Sequence, residues 1–498
     1  MQELQFMSYN KKSTILIAGG GTSGWSTAAM LSSLKNVNIV ILEPSTIPTL
    51  GVGESTIPHI HYAHKKMEFD VFKSAEWLDS VDGTVKFSIE FKDFYTKNHE
   101  WVHPFFDAYG IDRAYLSNSL IHGVNFDTAV EQKTFMFNKS TAGIRRQRGF
   151  VSNESWFKTS GCTKEAAFHM NAIKYAEYLK SKTLTRTNVT LYDAHIVKVN
   201  LDETGSVSNI ITNEGTTLNA DFYIDCTGSH SVLINAMNEP WIDASDRLFV
   251  DGAWLAQLPY SQPEVQLRNT TYCEGLSSGW VFNIPLQSRV GTGYIFSSGH
   301  QKDQAAADEF AEHLHTQYGY DKDKLSFRRL KFKTGYRKRQ WVNNVVAIGM
   351  SNFFCEPLES TAIAMANSSA LCFREVLQNL HVPLDITRDR FNDSQWQLAN
   401  SVIDFVEMHY TLTQRQDSEF WQDYYNKPFQ PHQQEFIDIY RKSANNKTLD
   451  SQTIKECLGR YSMFCNLSYA MMFYGNGLLP KSCISDNYAE PLTAGQSH

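Results

Sequence analysis

Two short segments of the chain carry residue types at spacings that can do chemistry. In Gly19-Gly20-Gly21-Thr22-Ser23-Gly24, three glycines fall in the pattern G-x-G-x-x-G. Gly19 permits a tight turn, Gly21 lets backbone approach a pyrophosphate, and Gly24 lets the following helix lie close to its strand. Thr22 and Ser23 complete the loop, and the helix start that follows adds unpaired N–H groups and partial positive charge for phosphate. Glu43 ends the next apolar run and can accept hydrogen bonds from both hydroxyls of a ribose. Together these residues describe an adenine dinucleotide site; the competing reading is a glycine-rich turn that binds nothing. In the second segment, Glu359-Ser360-Thr361 stands directly before a helical run, Ala362 to Leu377. An acid and two hydroxyls there serve as helix caps, and the same helix start offers N–H groups to an anion.

Strands and helices around these residues can be read in outline. Ile15 to Ala18 reads as a strand, Ser26 to Leu34 as a helix and Val37 to Leu42 as a second strand. Within 81–92, Val85, Phe87, Ile89 and Phe91 alternate with Lys86, Ser88, Glu90 and Lys92, the pattern of a half-buried strand. On spacing alone, Lys86 and Lys92 belong to a solvated face. Residues 165–182 have helical spacing through Phe168, Ala172, Ile173, Ala176 and Leu179, and 188–224 read as strands and hairpins. Tyr223 to Gly228 and Val345 to Gly349 are two further strand-to-turn elements ending in small residues. Segments 361–380 and 395–412 read as helices, and the tail from about 415 is aromatic and poorly periodic.

Three strand-to-turn elements so far apart point to FAD rather than NAD(P), whose site is normally one contiguous unit. The expected class is α/β: an FAD-binding, glutathione-reductase-like core of Rossmann type over 14–350. β-rich substrate segments (about 85–160 and 185–300) interleave with it, and a mainly helical region, 351–498, follows.

A chain of 498 residues is too long for one compact core. Its 42% hydrophobic and 20% charged content is ordinary for a globular protein, and a net charge of −7 argues against a nucleic-acid partner. Eight cysteines form no C-x-x-C pair, which fits reduced thiols. No signal-peptide core and no run of membrane-spanning length is evident, so a cytoplasmic protein without a membrane partner is expected.

The chain resembles the flavin-dependent halogenases of the tryptophan-halogenase type. The matching pieces run in family order over roughly 14–425: Gly19 to Trp25, Gly51-Val-Gly53-Glu54-Ser-Thr-Ile-Pro58, Asp82 to Lys86, Ile224 to Gly228, Ser278 to Pro285, Gly293 to Ser298, Trp341 to Asn344 and Glu356-Pro-Leu-Glu359-Ser-Thr361. The segments around Trp280 and Glu359 are specific to the family; the glycine pattern is not. The resemblance implies that FADH2 from a separate NAD(P)H-dependent reductase reacts with O2, that a bound halide (chloride, bromide or iodide) becomes hypohalous acid, and that this oxidant travels through a tunnel to a lysine beside an electron-rich aromatic substrate.

By that resemblance Lys86 is the catalytic lysine, able to hydrogen-bond hypohalous acid or form a haloamine. Glu359 is the second catalytic residue, stabilising the cationic ring intermediate and taking its proton. Gly53, Glu54 and Gly349 join the cofactor set. The halide is expected at Thr361 and Ala362, where the family usually has glycine at the second position. Trp280, Phe282, Ile284, Pro285 and Ser360 are expected along the flavin tunnel; Phe282 replaces a tryptophan of the W-x-W-x-I-P motif. His103 and Phe105 match the pair that sandwiches an indole ring. Past 425 the resemblance fades, so an indole, phenol or other electron-rich ring is expected rather than free tryptophan. Two alternatives stay open: a flavin-dependent aromatic hydroxylase, which Phe282 makes conceivable, and a non-catalytic FAD-fold binding protein of the GDI type. The oligomeric state stays open as well, a homo-oligomer included.

Overall fold

The computed structural model describes residues 12–46, 54–105, 150–160, 166–379, 382–446, 462–464 and 466–478. Of the expected site residues, Gly53 lies outside them. The chain forms two compact units: 1–82, 170–244 and 333–399 make one, and 83–169, 245–332 and 400–498 make the other. These boundaries differ from those expected. The segment 185–244 stays in the first unit because two of its strands pair in the parallel sheet there, and the helices past 400 belong to the second.

The first unit is built on a six-stranded sheet in the order 341–342, 345–347, 222–225, 13–18, 37–42, 189–192. All neighbours are parallel except the edge strand Trp341–Val342. Near-continuous apolar runs form these strands because both faces are covered. Leu16, Tyr223, Leu233, Ile234 and Val345 pack on one side. The helix Thr22–Leu31 follows the first strand. Its carboxyl end is held by two arginines: Arg186 donates to the Ala29 carbonyl (2.6 Å) and Arg374 to the Met30 carbonyl (3.2 Å). Cations are favoured at that end, which leaves the amino end, beside the glycines, free for an anion. This is the Rossmann-type core expected.

The second unit carries a seven-stranded sheet in the order 328–331, 252–258, 290–296, 279–285, 270–275, 88–92, 100–104. Its pairs are antiparallel except Thr270–Gly275 against Ser88–Lys92. The helix Asp303–Tyr318 covers one face, with Phe310 and Leu314 against Val281 and Tyr294. Two expectations are corrected here. The stretch 81–92 is two strands, Thr84–Lys86 and Ser88–Lys92, and its polar face is buried: Lys86 and Ser88 are 0% exposed and Glu90 8%. The stretch 165–182 is not one helix. Ala167–Met170 is a strand paired with Thr84–Lys86, and the helix Ala172–Thr183 starts only after Asn171, whose side chain accepts from the Ile173 and Lys174 N–H groups. Downstream, the helices are Ala362–Gln378, Leu384–Thr411, Glu419–Asn426, Pro431–Asn446 and Asn466–Gly475, so the aromatic tail is more helical than its periodicity suggests.

Candidate active site

In the first unit the three strand-to-turn elements converge. Gly19 has φ +109°, and a Cβ there would lie 2.2 Å from the Cys226 carbonyl oxygen, so the first turn abuts the turn after Phe222–Asp225. A Cβ on Gly24 would meet the Gly19 carbonyl oxygen at 1.9 Å, and one on Gly349 (φ +77°) would meet Ser23 Oγ at 2.4 Å. Any side chain at Gly19, Gly24 or Gly349 therefore collides with the protein itself. Gly21 differs: among the described residues no atom lies within 4 Å of its added Cβ, and its backbone (φ −75°, ψ −173°) suits any residue. The protein does not need glycine there. A ligand passing close to the backbone does. The helix has no side-chain cap at Gly21 and no acid in its first turn. These features fit a dinucleotide pyrophosphate.

Glu43 is more constrained than its position suggested. Its carboxylate accepts from Trp25 Nε1 at 3.1 Å and from Lys180 Nζ at 2.5 Å, and its side chain lies against Gly20. Each carboxylate oxygen keeps a second lone pair, so ribose hydroxyls can share it. Lys180, 137 positions away, carries no sequence signal for this pairing. Glu54 opens a short strand, and burial pushes its carboxyl pKa up to about 7.

The acid-hydroxyl segment lies in the same unit. Glu359, fully buried, ends a 3-10 turn, Pro357–Glu359. Ser360 follows with φ +58°, a left-handed conformation that costs a non-glycine residue about 1 kcal/mol or more, and its hydroxyl bonds the Ser55 hydroxyl at 3.0 Å. Thr361 is the N-cap of Ala362–Gln378, yet its side chain makes no capping bond and no acid occupies the first turn. Ala362 is exposed. The Thr361 side chain thus leaves the helix's first N–H groups to another acceptor.

The second unit holds the lysine. Lys86 is completely buried, with its Nζ 5.1 Å from the centre of the Phe105 ring. His169, on the neighbouring strand, is also fully buried; burial drives its pKa well below the usual value and the Lys86 charge lowers it further. Lys92 has a different environment. It is partly exposed and donates to Glu274 at 2.9 Å. Burial opposes its charge, but the bond to Glu274 and the charges of Glu274, Asp93 and Glu100 outweigh this and raise its pKa.

His103 lies on the strand Glu100–Pro104, and Phe105 follows its end. His103 is buried against the Phe405 ring (5.6 Å) and the Phe464 ring (6.2 Å). Neither aromatic belongs to one of the matching motifs, and both went unrecognised in the sequence. Trp280, Phe282 and Ile284 are all buried on the strand Gly279–Pro285. The Trp280 and Phe282 rings lie 6.0 Å apart. The Trp280 indole N–H is buried without an acceptor among the described residues. Pro285 ties this strand to the lysine's, its carbonyl accepting from the Thr84 hydroxyl at 2.7 Å. Among the described residues no cluster of His, Cys, Asp and Glu could hold a metal, and no helix is long and apolar enough to cross a membrane.

The chain as a whole is similar to known proteins. A family model described as tryptophan halogenase matches residues 14–489. Tryptophan 6-halogenase ThaL of Streptomyces albogriseolus is 28% identical over 508 residues, covering 95% of this chain and 91% of its own. Tryptophan 7-halogenase RebH of Lentzea aerocolonigenes is 28% identical over 497 residues, covering 94% and 90%. Among solved structures, the flavin-dependent halogenase Xcc4156 from Xanthomonas campestris superposes with a TM-score of 0.80 at 25% identity, covering 96% of this chain and 93% of that one. Neither the hydroxylase nor the binding-protein alternative is favoured by these relatives. The chain belongs to the tryptophan halogenase family, enzymes that use FADH2, a halide and a separate flavin reductase to halogenate an aromatic substrate.

Proposed function

We propose that this enzyme halogenates an indole- or phenol-like ring beside Lys86, with hypohalous acid formed at the flavin. The observation that carries this reading is the setting of Lys86: a lysine sealed from solvent, against an aromatic ring and a neutral imidazole. Burying a lysine carries a desolvation cost, and groups held at such a cost cluster at functional sites. Lys86 donates a hydrogen bond to hypohalous acid, or as the free amine takes the halogen with loss of water, and so fixes the electrophile at one ring carbon. The open backbone at Gly21, with Thr22, Ser23 and Gly24 opening the helix and Gly19, Glu43 and Gly349 beside them, supports FAD binding there, and the family resemblance adds Glu54 to the cofactor set. Bound FADH2 with O2 supplies the two-electron oxidant for halide. Glu359 stabilises the cationic ring and accepts its proton. Trp280, Phe282, Ile284, Pro285 and Ser360 wall the route, and His103 with Phe105 flanks the substrate. The free thiols Cys226, Cys273, Cys355 and Cys372 support a cytoplasmic location.

The uncapped helix start supports a halide at the N–H groups of Thr361 and Ala362. Ala362→Gly removes an exposed methyl at that turn, so the rate order of chloride, bromide and iodide should change, with bromide ahead of chloride in the wild type. The same order and rates in the mutant would mean that the methyl points away from the halide.

Capture by a buried lysine predicts halogenation at one dominant carbon, undiminished by excess thioether in solution that destroys free hypohalous acid. A yield that falls with thioether, and a mixture of isomers, would mean that the oxidant meets the ring outside the protein.

A further inference from the structure

The strand bearing Lys86 is clamped along its backbone. Asn153 and Gln287 donate to the Gly83 carbonyl at 2.8 and 3.0 Å, and the Asn269 side chain donates to the Val85 carbonyl at 2.9 Å. The Phe87 N–H reaches the Asn269 carbonyl at 2.8 Å. On the side-chain face, the antiparallel ladder sets Thr84 opposite His169 and Lys86 opposite Ala167, so Thr84, Lys86 and His169 project from one face. Thr84 Oγ1 lies 2.7 Å from the Pro285 carbonyl oxygen and 3.0 Å from His169 Nδ1; His169 Nε2 lies 3.0 Å from Thr271 Oγ1.

The direction of each bond follows from the protons available. A carbonyl only accepts, so the one hydroxyl proton of Thr84 goes to Pro285. The Thr84 oxygen must then accept from His169, and Nδ1 carries the proton. The imidazole is neutral, since burial and the charge of Lys86 both oppose a second proton. Nε2 is therefore bare, and Thr271 donates to it. One tautomer is fixed at both ends.

We propose that His169 is a positioning residue for Lys86: a tautomer-locked imidazole that pins Thr84 to Pro285 and holds the lysine strand without placing a second cation beside it. This rests on the assignment of Lys86 as the catalytic lysine. An imidazole can make two fixed hydrogen bonds and stay uncharged, which an arginine or lysine cannot. Without it, Thr84 loses one partner, and the strand that bears Lys86 loses one of its side-chain ties.

The test is the ratio of brominated indole to O2 consumed, with FADH2 supplied by a reductase. His169→Leu should bind FAD and consume O2 like the wild type while that ratio falls on the order of 10- to 100-fold, because a misplaced group captures less oxidant. His169→Asn can place an N–H where Nδ1 stood and should recover most of the ratio. His169→Gln reaches the Nε2 position instead and should not. Thr84→Val should lower the ratio as His169→Leu does, and the double variant should be no worse than either. Equal ratios in the Asn and Gln variants, or a wild-type ratio in His169→Leu, would overturn the proposal. If His169→Leu fails to fold, the Asn and Gln pair still decides. Failure of the parent assignment looks different: Lys86→Ala would then halogenate normally.

Discussion

Lys86→Ala should lose aryl halogenation by on the order of 10³-fold or more while still binding FAD and consuming O2 from FADH2, because its task begins after the oxidant has formed. Glu359→Gln keeps size and hydrogen bonding but removes the charge that steadies the ring cation, and should slow the reaction about 10²-fold. Lys92→Ala is the control, with one refinement that the structure imposes. Lys92 neutralises Glu274, a 7% exposed carboxylate that also accepts from Tyr272 at 3.1 Å. Its loss should cost about 1–2 kcal/mol of stability, less than a fully buried pair because Lys92 is partly exposed. Activity per folded molecule should stay near wild type. A dead Lys92→Ala beside a normal Lys86→Ala would exchange the two assignments; normal rates in both would mean that catalysis does not use this strand.

Gly21→Val should leave the apo protein folded with nearly unchanged melting temperature, yet weaken FAD binding about 10- to 100-fold, the effect of an overlap costing 1–3 kcal/mol. The structure separates this glycine from its neighbours. At Gly19 and Gly24 an added Cβ strikes backbone at 2.2 and 1.9 Å, so substitutions there damage the fold before they report on a ligand. At Gly21 no described residue resists the side chain. Unchanged FAD affinity in folded Gly21→Val would remove the pyrophosphate from this loop, wherever else the cofactor bound.

The glycine loop was legible because its requirements are local: a strand, a turn and a helix start, all within twelve residues. The returning strands at 222–225 and 345–347 were legible too, as apolar runs ending in small residues. The surroundings of Lys86 were not. Alternation over 85–92 reports a solvated polar face only when water meets that face. Here Ser88 meets Thr270 (3.0 Å) and Glu90 meets Arg268 (3.0 Å), partners about 180 positions away that no local pattern records. His169 was missed for a related reason. Phe168 continues the helical spacing of Ala172 and Ala176 by coincidence, so a four-residue strand was absorbed into the helix. Asn171 was the available signal, an N-cap residue that separates the two. Glu43 shows the same limit: its position at a strand tip was readable, but its salt bridge to Lys180 was not.

The proposed function requires that the flavin oxidise halide and that the halogen, not oxygen, reach the ring. Mass spectrometry of products from indole and phenol decides this, with FAD, a flavin reductase, NADH and O2, and with bromide, chloride or no halide. The predicted result is a monohalogenated product carrying the isotope pattern of the supplied halide, none without halide and none when the reductase is left out. A hydroxylated product formed in the absence of halide would contradict it.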